Sequence, residues 1–215
     1  MARIVIINPN STASMTEAMV RAAATAAPEL RFEGRTSHNG PSAIQGEEDG
    51  AQAAPHLLDL VRDVDAQAPD GIIIGCFDDT ALVEAAEVAR CPVLGIGQAA
   101  FHRAALRNWR FSVVTTLPVS IPVIEKNIAS YGLQRWACRV RASNVAVLDL
   151  EREAEASKTI VLDEARKAFC DDGADAIILG CAGMVDLTRA ARQALAVEII
   201  DPVETAATCM RWLAG

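Results

Sequence analysis

No stretch of this 215-residue sequence approaches the roughly 20 consecutive apolar residues that a membrane-spanning helix needs. The first apolar run, Ile4 to Ile7, is too short for the core of a secretory signal, so a cytoplasmic protein is expected. Cation excess is also missing: 20 Lys and Arg stand against 28 Asp and Glu, a formal net charge of −8. A field of that sign repels phosphates, which argues against nucleic acid or an anionic membrane surface and leaves a small molecule as the expected partner. The three histidines, His38, His56 and His102, show neither H-E-x-x-H nor H-x-C spacing, so no metal site is expected. No fingerprint of an organic cofactor is present either. Six cysteines form no C-x-x-C pair, and a chain of this length needs no disulfide framework, so reduced thiols are expected. Finally, no Pro/Gly/Ser-rich tract divides the chain, so any lobes should be packed together rather than tethered.

What is present is an ordinary globular composition, 51% hydrophobic and 22% charged, enough for a sizeable core. Short β-branched runs alternate with breaker-free, alanine-rich stretches. Strands are expected near 3–8, 30–36, 71–75, 93–96, 111–115, 145–148, 176–179 and 197–200. Helices are expected near 14–27, 47–65, 80–89, 98–106, 121–131, 150–170, 187–195 and 203–213. Continuous apolar strands alternating with helices mean an α/β fold with parallel sheet covered on both faces.

The sequence also repeats itself. Asp70-Gly71-Ile72-Ile73-Ile74-Gly75-Cys76 is echoed by Asp175-Ala176-Ile177-Ile178-Leu179-Gly180-Cys181, and Arg3–Asn8 is echoed loosely by Arg110–Thr115. Two pseudo-symmetric lobes are expected, residues 1–96 with 203–215 and residues 97–202, with the active site in the cleft between them. Generic Ile/Val-rich strands could produce such an echo by coincidence, but the shared Gly-Cys ending is harder to explain so. In open α/β sheets ligands bind beyond the carboxyl ends of the strands, which is where Cys76 and Cys181 fall. Two facing thiols suit the inversion of a stereocentre, because one group removes a proton from one face while a second supplies one to the other. A thiol titrates near physiological pH, and a helix N-terminus lowers its pKa further.

Three spaced motifs carry a family resemblance. Ile7-Asn8-Pro9-Asn10-Ser11-Thr12 with Met15-Thr16, Gly75-Cys76-Phe77-Asp78-Asp79, and Gly180-Cys181-Ala182-Gly183-Met184 resemble the aspartate/glutamate/hydantoin racemase superfamily, and within it the hydantoin and allantoin racemase branch. The similarity spans nearly the whole chain, including Gly40–Gly46 and the stretch 141–151. It implies paired Rossmann-like lobes, a cyclic ureide or hydantoin substrate between them, no metal or organic cofactor, Cys76 and Cys181 as the acid/base pair, and a homo-oligomer. Glutamate racemases carry Asp-Ser-Gly, Cys-Asn-Thr and Cys-Thr-His at the corresponding places, which this chain lacks. Arylmalonate decarboxylases keep only the second cysteine. Maleate isomerases use two cysteines and stay open as an alternative, as do an aspartate-type racemase, an arylmalonate decarboxylase-like enzyme and a two-lobed small-molecule binding protein.

Around the cysteines, several residues admit two readings. The backbone NH groups of Phe77, Asp78, Ala182 and Gly183 are candidates to stabilise a developing oxyanion, while Gly183 equally marks a simple turn. Asn10 and Ser11 are candidates to bind ligand, with Ser11 or Thr12 otherwise capping the first helix. Thr115 and Thr116 hold the matching place in the second half. Asp78 and Asp79 either accept a ring N–H or merely favour a helix N-terminus, and Phe77 either walls the site or packs in the core. Residues 37–46, including Ser42, form either a lid or a plain connection. Cys91, Cys138, Cys170 and Cys209 have no site-like setting.

Overall fold

The structure, a computed structural model, describes all 215 residues. The first half of the chain runs β1 (Arg3–Asn8), α1 (Ala13–Ala26), β2 (Arg31–Thr36), α2 (Glu47–Asp65), β3 (Gly71–Ile74), α3 (Leu82–Val88), β4 (Val93–Gly95) and α4 (Ile96–Leu106). The second half repeats the alternation with β5 (Phe111–Thr115), α5 (Ile121–Ser130), β6 (Ala137–Ala142), α6 (Asp149–Arg152), α7 (Ala154–Asp172), β7 (Ala176–Leu179), α8 (Thr188–Ala194), β8 (Glu198–Ile200) and α9 (Pro202–Leu213). Every strand pair is parallel, and the two four-stranded sheets have the same order, β2-β1-β3-β4 and β6-β5-β7-β8. The echo in sequence is therefore a repeat in topology.

Strand chemistry decides position in each sheet. The central strands β1, β3, β5 and β7 are almost wholly buried, as helices on both faces demand. The edge strands β2 and β6 carry charge, which discourages pairing with another chain. On β2, Glu33 sits within ion-pair distance of Arg3, Arg31 and Arg35. On β6, the Arg141 Nε donates to Asp172 at 2.8 Å while its Nη1 reaches Glu164 at 3.1 Å, both acids coming from α7.

One hydrophobic cluster joins the sheets. It takes Ile4 and Ile73 from the first sheet, Phe111, Val113 and Ile178 from the second, and Phe101, Ala206 and Met210 from α4 and α9. Phe101 stacks on Phe111 at 5.7 Å and meets the edge of Phe77 at 5.3 Å. Both strand-end regions are thereby held against a common core. No helix is long and apolar enough to cross a membrane.

Three elements differ from expectation. Residues 145–148 form no strand, being irregular and then a turn at 147–148, and the strand in that region is β6, hidden in the sequence by Arg139 and Arg141. The helix expected from 80 begins at Leu82, because Asp79 and Ala81 are left-handed, with φ of 48° each. The helix expected over 150–170 is two, broken at Glu153, whose φ of −124° and ψ of 48° are not helical.

Candidate active site

Residues from both halves line one small cavity, among them Asn10, Met15, Ile44, Cys76, Asp78, Ser120, Val147 and Cys181. Each cysteine follows a glycine at the end of a central strand. A Cβ at Gly75 would lie 2.7 Å from Met19 Sδ, and one at Gly180 would lie 2.7 Å from Val113 Cγ1 and 3.1 Å from the Val114 carbonyl oxygen. A Cβ at Gly180 crowds a neighbouring backbone and one at Gly75 would push the end of Met19 aside, so glycine packs best before each thiol at the strand end.

The sulfurs sit in matching hydrogen-bond settings. Gly183 N–H donates to Cys181 Sγ at 3.4 Å, and the Asp78 N–H supports Cys76 from the same position two residues on. Thr80 Oγ1 adds a donor to Cys76 Sγ at 3.5 Å. These donors favour the thiolate, but burial outweighs them. Cys181 is pushed up to about 12, mainly by desolvation, with the Asp78 carboxylate adding to the rise. Burial raises Cys76 too, and Asp78 again adds. The expected help from a helix N-terminus is absent at Cys76, since α3 starts six residues later and is separated by a turn. At Cys181 it survives as the local 3-10 turn over Ala182–Leu187, whose N-cap is Cys181.

Asp78 is itself buried, and desolvation raises its carboxyl to about 6; its oxygen accepts from Gly46 N–H at 3.3 Å. Asn10 is fixed by Asn8, whose Nδ2 donates to Asn10 Oδ1 at 2.9 Å, and by Thr12 N–H at 2.9 Å. That leaves the Asn10 amide nitrogen only a long contact to Met15 Sδ, 3.6 Å. Thr115 Oγ1 donates to the Gly180 carbonyl oxygen at 3.0 Å, and Thr116 accepts Asn144 N–H through its backbone.

Asn10, Phe77, Asp78, Thr115, Thr116, Ala182 and Gly183 line the cavity together with both cysteines. Phe77 does so while packing in the core. Ser11, Ser42 and Asp79 do not line it. Ser11 N–H and Ser42 carbonyl are occupied in a seam: Ser11 N–H donates to the Pro41 carbonyl at 2.9 Å and Thr12 Oγ1 to the Ser42 carbonyl at 2.7 Å. Neither Ser11 nor Thr12 caps α1 through its side chain. Asp79 turns away into a buried network with Tyr131 and α4. Sequence reasoning missed Met15, Ile44, Gly75, Ser120, Val147 and Gly180 as lining residues. All but Ser120 had a signal, lying in the stretches that carry the family resemblance. Ser120 carries none.

The loop 37–46 covers both thiols. Its Ala43 packs with Met15 and Val147 beside Cys181, and its Ile44 packs with Ala53 beside Cys76. Gln45 Oε1 accepts Val147 N–H at 2.9 Å, fastening the loop to the other half. The cavity beneath is about 20 Å³, room for a water molecule and not for a ring. No three His, Cys, Asp or Glu side chains are grouped so as to hold a metal ion.

The Asp/Glu/Hydantoin racemase family model matches residues 4–210. The chain belongs to that family. It is 41% identical over 211 residues to the hydantoin racemase of Rhizobium meliloti, covering 98% of this chain and 88% of the relative. Its fold superposes on the allantoin racemase from Klebsiella pneumoniae with a TM-score of 0.93, at 34% identity over 98% of this chain and 86% of that one. The allantoin racemase of Pseudomonas fluorescens gives a TM-score of 0.92, at 33% identity over 97% and 89% of the two chains. This chain is accordingly an isomerase, a racemase of the Asp/Glu racemase superfamily, with two four-stranded parallel sheets of the kind seen in those structures.

Proposed function

We propose that this racemase inverts C5 of 5-substituted hydantoins, allantoin included, with Cys76 and Cys181 as the two acid/base groups. One observation carries the proposal: the cavity contains no Lys, Arg or His, and its ionisable groups are Cys76, Cys181 and Asp78. A free amino acid would bring a carboxylate into a buried site with no cation to receive it and with an anionic Asp78 already there. A cyclic ureide brings amide N–H donors instead, which Asp78 accepts, and carbonyl oxygens, which face Asn10 Nδ2 and the backbone.

In this reaction one thiolate takes the C5 proton, and the bond's electron pair moves to the adjacent carbonyl oxygen as an enolate. The opposite thiol then delivers its proton to the other face of C5, leaving the roles of the two sulfurs exchanged. The Asp78 and Gly183 N–H groups favour each thiolate, which leaves Phe77 and Ala182 N–H for the oxyanion. A ring N–H bound to Asp78 partly offsets its charge and so eases the smaller, coulombic part of the rise in both thiols; burial supplies the larger part. No metal or organic cofactor enters. Loop 37–46 opens to admit the ring and closes to exclude water, and the active unit is a homo-oligomer in the cytoplasm.

Enantiopure allantoin, benzylhydantoin and aspartate followed by polarimetry test the substrate class, and loss of rotation with aspartate alone overturns it. Cys76→Ser and Cys181→Ser test the mechanism. Each variant should lose racemisation, because a hydroxyl is far too weak an acid to replace a thiol at neutral pH. In deuterated buffer each should still exchange the C5 proton of one enantiomer without inversion, and the two should prefer opposite enantiomers. Near wild-type racemisation by either variant, or exchange of the same enantiomer by both, refutes the two-base reading.

A further inference from the structure

The loop that follows Cys76 is held in an unfavourable shape. Asp79 and Ala81 both adopt left-handed backbone conformations, which cost free energy for residues with a Cβ and persist only when their surroundings enforce them. Much of that enforcement comes from the other half of the molecule. On α5, Asn127 Nδ2 donates to the Asp78 carbonyl oxygen at 2.7 Å. One helical turn later, at the C-terminal cap of the same helix, the Tyr131 hydroxyl donates to Asp79 Oδ2 at 2.9 Å. Asp79 Oδ1 in turn accepts Gly97 N–H of α4 at 3.0 Å. A Cβ at Gly97 would stand 2.4 Å from the Phe77 carbonyl oxygen, so α4 presses directly on the same loop. Tyr131 is the chain's single tyrosine, and its ring also packs on Phe101 and His102.

The position of α5 gives this grip a consequence for the chemistry. Its first turn directly follows Thr115, Thr116 and Ser120, which line the cavity on the side of Cys181. A helix anchored to one wall of the cavity therefore holds, by two side-chain donors, the loop that carries the thiol of the opposite wall. We propose that Asn127 and Tyr131 are positioning residues that set where Cys76 stands relative to Cys181. Neither side chain lines the cavity or touches a reacting atom. Two-face proton transfer requires both sulfurs to be within reach of one carbon at once, and a misplacement of about 1 Å in such a site costs on the order of a hundredfold in rate. The inference rests on the proposal that both thiols serve one substrate.

Asn127→Asp and Tyr131→Phe remove one donor each at nearly constant volume, and the test reads thiol reactivity and turnover separately. Each purified full-length variant is treated with iodoacetamide, and the alkylation rates of Cys76 and Cys181 are measured in the same sample by peptide mass mapping. The Cys76 rate should rise by about fivefold or more while the Cys181 rate stays within about twofold, since only one wall is released. For benzylhydantoin racemisation, kcat should fall by about tenfold, with KM changed by less than about threefold, because neither removed donor touches the substrate. An unchanged ratio of the two alkylation rates in both variants overturns the proposal. So does a parallel rise at both cysteines accompanied by a lower melting temperature, which marks general loosening. A wild-type protein that fails to racemise hydantoins defeats the functional reading instead, and the alkylation ratio then decides the positioning on its own.

Discussion

Asp79→Asn isolates one buried charge. Asp79 is 6% exposed and burial lifts its carboxyl from an ordinary 3.8 to about 7, against the opposing pull of Tyr131, Gln98 and Gly97 as donors. The folded state therefore binds this proton more tightly than the unfolded chain does. Its contribution to stability is complete below pH of about 4 and is lost as pH rises through about 7. Asparagine tolerates the left-handed conformation at this position, keeps an acceptor for Gly97 N–H and has no proton to lose. Between those two limits one proton is worth about 1.4 kcal/mol for each step of one in pH, so the wild type loses roughly 2–3 kcal/mol from this group between pH 5 and pH 8, and the variant loses none. The stability of Asp79→Asn relative to wild type should thus increase by about that amount over the same interval. Urea unfolding of both proteins at four pH values measures it, and the comparison cancels the titrating groups that do not interact with Asp79. A difference that stays constant with pH, or that shrinks as pH rises, refutes the assignment.

Raised thiols set a second expectation: kcat/KM for hydantoin racemisation should climb between pH 6.5 and 8.5 as the thiolate fraction grows, after subtraction of the uncatalysed rate. An optimum at or below pH 6 contradicts it. Activity should survive exhaustive chelation and removal of pyridoxal phosphate, and loss with chelator that added metal restores would show a metal requirement. The exposed Leu106, Val119 and Trp212 fit burial against further copies of the chain, so sedimentation at micromolar concentration should show a species larger than 22.8 kDa. A single species of monomer mass across that range argues against an oligomer.

Features that depend on short-range pattern are legible in the chain before it folds. Apolar runs such as Ile4–Ile7 and Gly71–Ile74, spaced by helical stretches, specify parallel strands buried on both faces, because such burial leaves no polar alternation. The repeated Gly-Cys ending marks the two thiols, since the end of an apolar run and the residues that follow it are both readable locally. Strand β6 escaped because Arg139 and Arg141 make it read as polar; the acids that neutralise Arg141 come from α7, 23 and 31 residues further along the chain. Which loops meet depends on how the two sheets pack. Ile44, Ser120 and Val147 converge on the cavity from three separate segments, and Asn127 and Tyr131 reach across from α5 to the loop after Cys76. The packing also decided the sign of the thiol shifts. A strand-to-helix junction read in isolation favours the thiolate, whereas packing by Ala43 and Ile44 buries the sulfurs and the carboxylate of Asp78 adds a like charge, raising both. Desolvation is a property of everything packed around a group, and no neighbourhood in sequence contains it.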